Sequence, residues 1–167
     1  MIICLLLCSC SKKTTDAELF KKEFESYNNE KYYNVSINKD NPFVYADVEK
    51  LNDLIADKES FAVFIGSSED DLSRHFVEFI IEEADYLDIK KVYYLSNDDK
   101  DITTFKSVNG ISSKIPNLVS FKDGAQVDKY TLNIEESYNA KENFDDLYHT
   151  DIKYRIKKVL EKITKSK

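Results

Sequence analysis

The sequence predicts an α/β domain with a mixed central sheet and helices on both faces, in the order β-α-β-α-β-α-β-β-α. Three observations carry this. Apolar runs of strand length alternate with segments of helical periodicity. One of these runs, SFAVFIG (Ser60–Gly66), is almost continuously apolar, as suits a central strand covered on both faces. Finally, Asp123-Gly124 separates two strand-like runs, NLVSF and AQVDKYT, the pattern of a tight antiparallel hairpin.

The elements follow in order. Thr15-Asp16-Ala17-Glu18 is a Thr-x-x-Glu capping box, so a helix starts there, with Phe20, Phe24 and Tyr27 on one face. Residues 29–42 are polar and irregular and read as a tether or wrap. Phe43–Tyr45 is a short strand, and Asp47 caps a helix whose buried stripe is Val48, Leu51 and Ile55. After SFAVFIG, the segment GSSEDDLSRHF opens a helix of roughly five turns, with Leu72, Phe76, Phe79, Ile80 and Leu87 at helical spacing. Ser67 or Ser68 is its expected N-cap. KKVYYLS is a third strand. A short helix capped by Asp101 and stopped by Gly110 leads to the hairpin. Residues 133–143 form a polar linker to a last amphipathic helix over 144–163, with Tyr148, Ile152, Ile156, Val159 and Ile163 on one side.

Charge narrows the function. The chain of 167 residues has a net charge of −7. From Ile152 to Lys167 there are seven bases and one acid; the remaining residues carry 17 bases against 30 acids. An acidic body argues against nucleic acid as the partner, because phosphate neutralisation needs a basic surface. The basic tail either complements its own helix dipole or meets anionic lipid headgroups.

All three cysteines, Cys4, Cys8 and Cys10, lie in the first ten residues. From Ser11 onward the chain can form neither an internal disulfide, nor a thiolate nucleophile, nor a cysteine-ligated metal site. The start, MIICLLLCSC, is too short for a membrane span, which needs about 20 apolar residues. Leu7 to Cys10 (LCSC) resembles the lipobox of bacterial lipoproteins, with Cys8 a slight departure at the second position. That resemblance implies that the residues before Cys10 are removed and that Cys10 becomes the lipidated first residue of the mature chain. The basic start of a full signal is missing, which suggests a true start upstream of Met1.

The element order, together with GISSKIPNLVSFKDG (Gly110–Gly124), resembles the thioredoxin fold. The carrying residues are Gly110-Ile111, Ile115-Pro116, the strand Asn117–Phe121 and the turn Lys122-Asp123-Gly124. The loop between Gly110 and Pro116 is one residue longer than is typical. The resemblance covers roughly Phe43 to Lys162 and implies a cis Ile115–Pro116 bond. It also implies that this loop faces the start of the second helix and can pair with an extended peptide. Laying the family's C-x-x-C pattern on FIGSSEDDLSRHF puts Asp70 and Ser73 at the two thiol positions. Phe64 falls where thioredoxins carry a buried acid. The redox apparatus is therefore absent by residue type.

The expected domains are 1–10 (lipoprotein signal), 11–42 (tether with a short helix) and 43–163 (thioredoxin-like). The candidate groove comprises Ser68, Glu69, Asp70, Asp71, Ser73, Ile115 and Pro116. Its acids read either as helix-start residues in the favourable field of the helix N-terminus or as a docking lip. His75 and His149 form no recognisable catalytic or metal-binding spacing, and the acid-rich SNDDKD (Ser96–Asp101) lacks the glycine and glutamate of an EF-hand. No cofactor is expected. The resulting expectation is a non-redox, membrane-anchored module on the extracytoplasmic face that binds an extended peptide or partner protein. The competing class is an enzyme derived from a thiol-disulfide oxidoreductase with a replaced active site.

Overall fold

A computed structural model describes residues 14–132 and 146–164. The elements are α1 (Asp16–Ser26), β1 (Phe43–Tyr45), α2 (Val48–Ala56), β2 (Phe61–Gly66), α3 (Asp71–Tyr86), β3 (Val92–Ser96), α4 (Ile102–Val108), β4 (Asn117–Lys122), β5 (Ala125–Thr131) and α5 (Asp146–Glu161). Residues 1–10, the linker at 133–143 and the last three lysine-rich positions lie outside the described residues.

The five strands form one mixed sheet in the order β1-β3-β2-β4-β5. β1, β3 and β2 are parallel, while β4 runs antiparallel to β2 and β5 antiparallel to β4. All six residues of β2 are buried, as its apolar run predicts. The period-2 alternation of a strand divides its side chains between two cores. Ala62 and Phe64 join one core with residues of α1, α3 and α5. Phe61, Val63 and Ile65 join the other with residues of α2 and α4.

The segment expected as a tether is instead a packed layer of the domain. Phe20 and Phe24 of α1 are fully buried, and Val35 and Ile37 nearly so. The Phe20 ring stacks 4.0 Å from Phe43 and meets Tyr94 edge-on at 5.0 Å. Polar side chains of α1 and its end, together with Asn41, satisfy the backbone of this layer. Asn28 brackets Val35 through its side chain, accepting from the Val35 N–H at 3.0 Å and donating to the Val35 carbonyl at 2.8 Å. The Ile37 N–H donates to Glu25 at 2.9 Å, and Asn41 donates to the Ala17 carbonyl at 2.8 Å. Two apolar anchors and satisfied backbone groups are enough to pin an otherwise polar and largely exposed stretch to the domain.

Several local expectations are met. The Thr15–Glu18 capping box closes with both of its bonds. Asp47 caps α2 through the Lys50 N–H. The buried stripe of α2 is Val48, Leu51 and Leu54; Ile55, expected in it, is only partly buried. Asp101 precedes α4 but makes no side-chain cap bond.

The β4–β5 turn has positive φ at both Asp123 (51°) and Gly124 (77°), as a two-residue hairpin of this twist requires. A Cβ on Gly124 would stand 2.4 Å from the Ile55 carbonyl oxygen. Gly124→Ala is therefore expected to destabilise the domain by about 2 kcal/mol, read as a lower urea midpoint with unchanged slope.

Candidate functional site

The site forms where β2 ends and α3 begins. Gly66 closes β2 because nothing larger fits. A Cβ there would lie 2.5 Å from the Phe64 ring and 2.9 Å from the Ser73 hydroxyl. A turn follows, with the Asp70 N–H donating to the Ser67 carbonyl at 3.2 Å. That turn delays the helix, so its N-cap is Asp70, not Ser67 or Ser68. Asp70 Oδ2 accepts from the Ser73 N–H at 2.7 Å and from the Ser73 hydroxyl at 2.6 Å. The same hydroxyl accepts from the Ser67 N–H at 3.2 Å.

The two positions that the thioredoxin pattern assigns to thiols thus hold a carboxylate–hydroxyl pair closed on itself. Ser73 is fully buried. Burial raises the Asp70 carboxyl above its ordinary value, against the lowering effect of its bonds to Ser73. The hydroxyl is committed in both directions and shielded from solvent, so this pair serves as a helix cap and presents no accessible nucleophile.

The neighbouring acids are engaged by the chain's own N-terminal layer. Glu69 accepts from the Tyr27 hydroxyl at 2.7 Å, and Asp71 accepts from the Tyr33 N–H at 2.5 Å. Beneath them lies Arg74, fully buried. Its guanidinium donates to the carbonyls of Phe24 (2.6 Å), Ser68 (2.9 Å) and Tyr33 (2.5 Å), and to Asn28 Oδ1 (2.5 Å). Burial lowers its pKa. The planar fork of arginine satisfies four acceptors from three chain segments, a task lysine cannot match. Sequence reading missed Arg74. One signal was available: only two arginines stand among 24 basic residues.

The Ile115–Pro116 bond is cis, as the resemblance implies. Pairing of Ile65 with Asn117, continued by one residue, sets Pro116 beside Gly66. The loop and Ser68–Ser73 therefore meet at one end of the sheet. Asn117, almost fully buried, staples the loop by donating to the Lys114 carbonyl at 2.5 Å. The Pro116 carbonyl accepts from the Leu132 N–H at 3.2 Å. Ile115 is half-buried, and among the described residues its N–H and carbonyl have no hydrogen-bond partner. That leaves one main-chain donor and one acceptor for an incoming strand.

His75 and His149, far apart in sequence, come together with ring centroids 5.4 Å apart. His75 is buried against Tyr33 and Phe79. Burial, and then the charge of His149, lowers its pKa to about 4. The folded value lies below the unfolded value near 6.5, so the unfolded chain binds the proton more tightly. The contribution of His75 is therefore full above pH 6.5 and falls away as pH drops toward 4, by up to about 3 kcal/mol. Urea midpoints compared between pH 7 and 4.5 should show this loss, and His75→Phe should flatten it.

A sheet of this order, a cis-proline loop beside the first turn of a central helix, and a capped start where thiols would stand define a thioredoxin-fold domain. Among solved structures, the chain is similar to oxidised thioredoxin O2 from Arabidopsis thaliana, with a TM-score of 0.51 and 15% identity over 75% of this chain and 96% of that one. Thioredoxin O1 from the same plant, also oxidised, gives 0.48 at 15% identity, over 75% of this chain and 100% of that one. No protein-family model matches the chain, and no curated protein sequence does. The likeness establishes the fold; what the site does must be argued from its residues. Among the described residues no helix is long and apolar enough to cross a membrane.

Proposed function

We propose that the protein is a non-redox binding module, lipid-anchored through Cys10 at the extracytoplasmic face of the cell membrane, that takes an extended peptide or partner segment along the Ile115–Pro116 loop. The observation that carries this reading is the contrast between the two halves of the site. The Asp70–Ser73 pair is closed on itself, with Ser73 fully buried, while the Ile115 backbone beside it retains a donor and an acceptor. Glu69 is exposed at the rim and keeps a carboxylate oxygen beyond its bond to Tyr27, which suits a peptide carrying a basic residue there.

Insulin reduction tests the redox half of the proposal. The mature chain, which begins at the lipidated Cys10 and holds no other cysteine, should show no turnover above background; sustained turnover would contradict the reading. The address is tested separately. Palmitate labelling in a bacterial host should be present in the wild type and lost in Cys10→Ala, and an unlabelled cytosolic chain would overturn it.

A further inference from the structure

Lys106 is the one buried lysine among the described residues, 5% exposed. It projects from α4 into a cavity of about 320 Å³ whose walls include Asn97, Thr103, Ser107, Ile111 and Ser113. Its ammonium donates to Asn97 Oδ1 at 2.8 Å and to the Ser113 carbonyl at 3.2 Å. An ammonium carries three N–H donors, so one remains for a further acceptor. No carboxylate pairs with it among the described residues. A buried cation without a counter-ion is costly, and burial alone lowers its pKa.

The position of this cavity is informative. Asn97 directly follows β3, and its N–H donates to the Gly66 carbonyl at the end of β2. The cavity therefore opens beyond the carboxyl ends of two adjacent parallel strands, the usual place for ligands in an open α/β sheet. Ser113 is two residues before Ile115, so the cavity adjoins the proposed peptide track.

We infer that the Lys106 cavity is a carboxylate-binding subsite, which anchors the free C-terminus or an acidic side chain of the bound peptide. A single cation with one open donor, in a cavity whose walls include Thr103 and Ser107, matches a singly charged carboxylate. A phosphate calls for more positive charge than this acidic body supplies. The inference deepens the peptide-binding reading and rests on it for the identity of the ligand, but not for the existence of the subsite.

The test has two arms on the full chain. In the first, propionate is titrated while the Lys106 side-chain resonances are followed by NMR. Saturable shifts are expected, larger than those from equal chloride, and absent from other lysines. No saturable response, or a response to inorganic phosphate alone, would overturn the subsite whatever becomes of the peptide reading. In the second arm, three versions of one short peptide are compared: a free C-terminal acid, its amide, and an amide carrying glutamate at the last position. One of the two acids should bind about tenfold more tightly than the plain amide, and which one does identifies the source of the carboxylate. Lys106→Met should erase that preference, so that the three peptides bind it alike. Equal binding of all three peptides, or a preference that survives in a folded Lys106→Met, would overturn the anchor while leaving the groove intact. Failure of every peptide alongside a normal propionate response would remove the groove and leave the subsite standing.

Discussion

Replacing Arg74 with methionine is expected to lower the stability of the domain by about 3–5 kcal/mol. The guanidinium is fully buried and satisfies the carbonyls of Phe24, Tyr33 and Ser68 and the Asn28 side chain. Methionine fills much of the volume but donates nothing. Each acceptor left buried and unpaired costs about 1–3 kcal/mol, and relief from desolvating the arginine returns only part of the total. Arg74→Lys keeps the charge without the fork and should fall between the two. Urea unfolding gives the comparison directly. A loss below about 1 kcal/mol in the methionine variant would mean that the N-terminal layer does not depend on this hub.

Starting the chain at Pro42 is expected to abolish cooperative folding. The cut removes α1 and the layer after it, uncovering Phe43, Phe64 and Tyr94, which Phe20 and Phe24 cover in the intact protein. Truncating one buried Phe to Ala costs about 3–5 kcal/mol, and a domain of this kind has about 5–15 kcal/mol in all. Loss of two such rings together with Val35 and Ile37 removes about as much as that whole margin. Thermal unfolding followed by circular dichroism should show no sigmoidal transition in the shortened chain. A transition close to that of the full chain would restore the view of residues 14–42 as a tether.

The sheet and its helices were legible because they rest on strong local signals. The continuous apolar run of β2, the Asp123-Gly124 turn and the order from Gly110 to Phe121 each have a direct physical meaning. The N-terminal layer was not legible, because its burial depends on tertiary bonds from Asn28, Glu25 and Asn41 that leave no periodic trace. The N-cap of α3 was misplaced by two or three residues because GSSEDD offers several good caps. Only the turn from Ser67 to Asp70 decides among them. Helical spacing marks the apolar stripe and is silent about charged residues covered by another segment, so it does not single out Arg74 or Lys106.

The sequence places acids at the first turn of α3, and the structure gives them work inside the protein: Asp70 caps, Asp71 and Glu69 hold the N-terminal layer. In the proposed reading, peptide binding therefore centres on the Ile115 backbone more than on the acidic start of the helix. The measurement that tests this most directly is the backbone amide shift of Ile115 during titration with a mixed library of extended peptides. A saturable shift there, with slowed amide exchange and little change along the middle of α3, is the result the account predicts. Peptide binding that perturbs other regions and leaves the Ile115 amide untouched would contradict it.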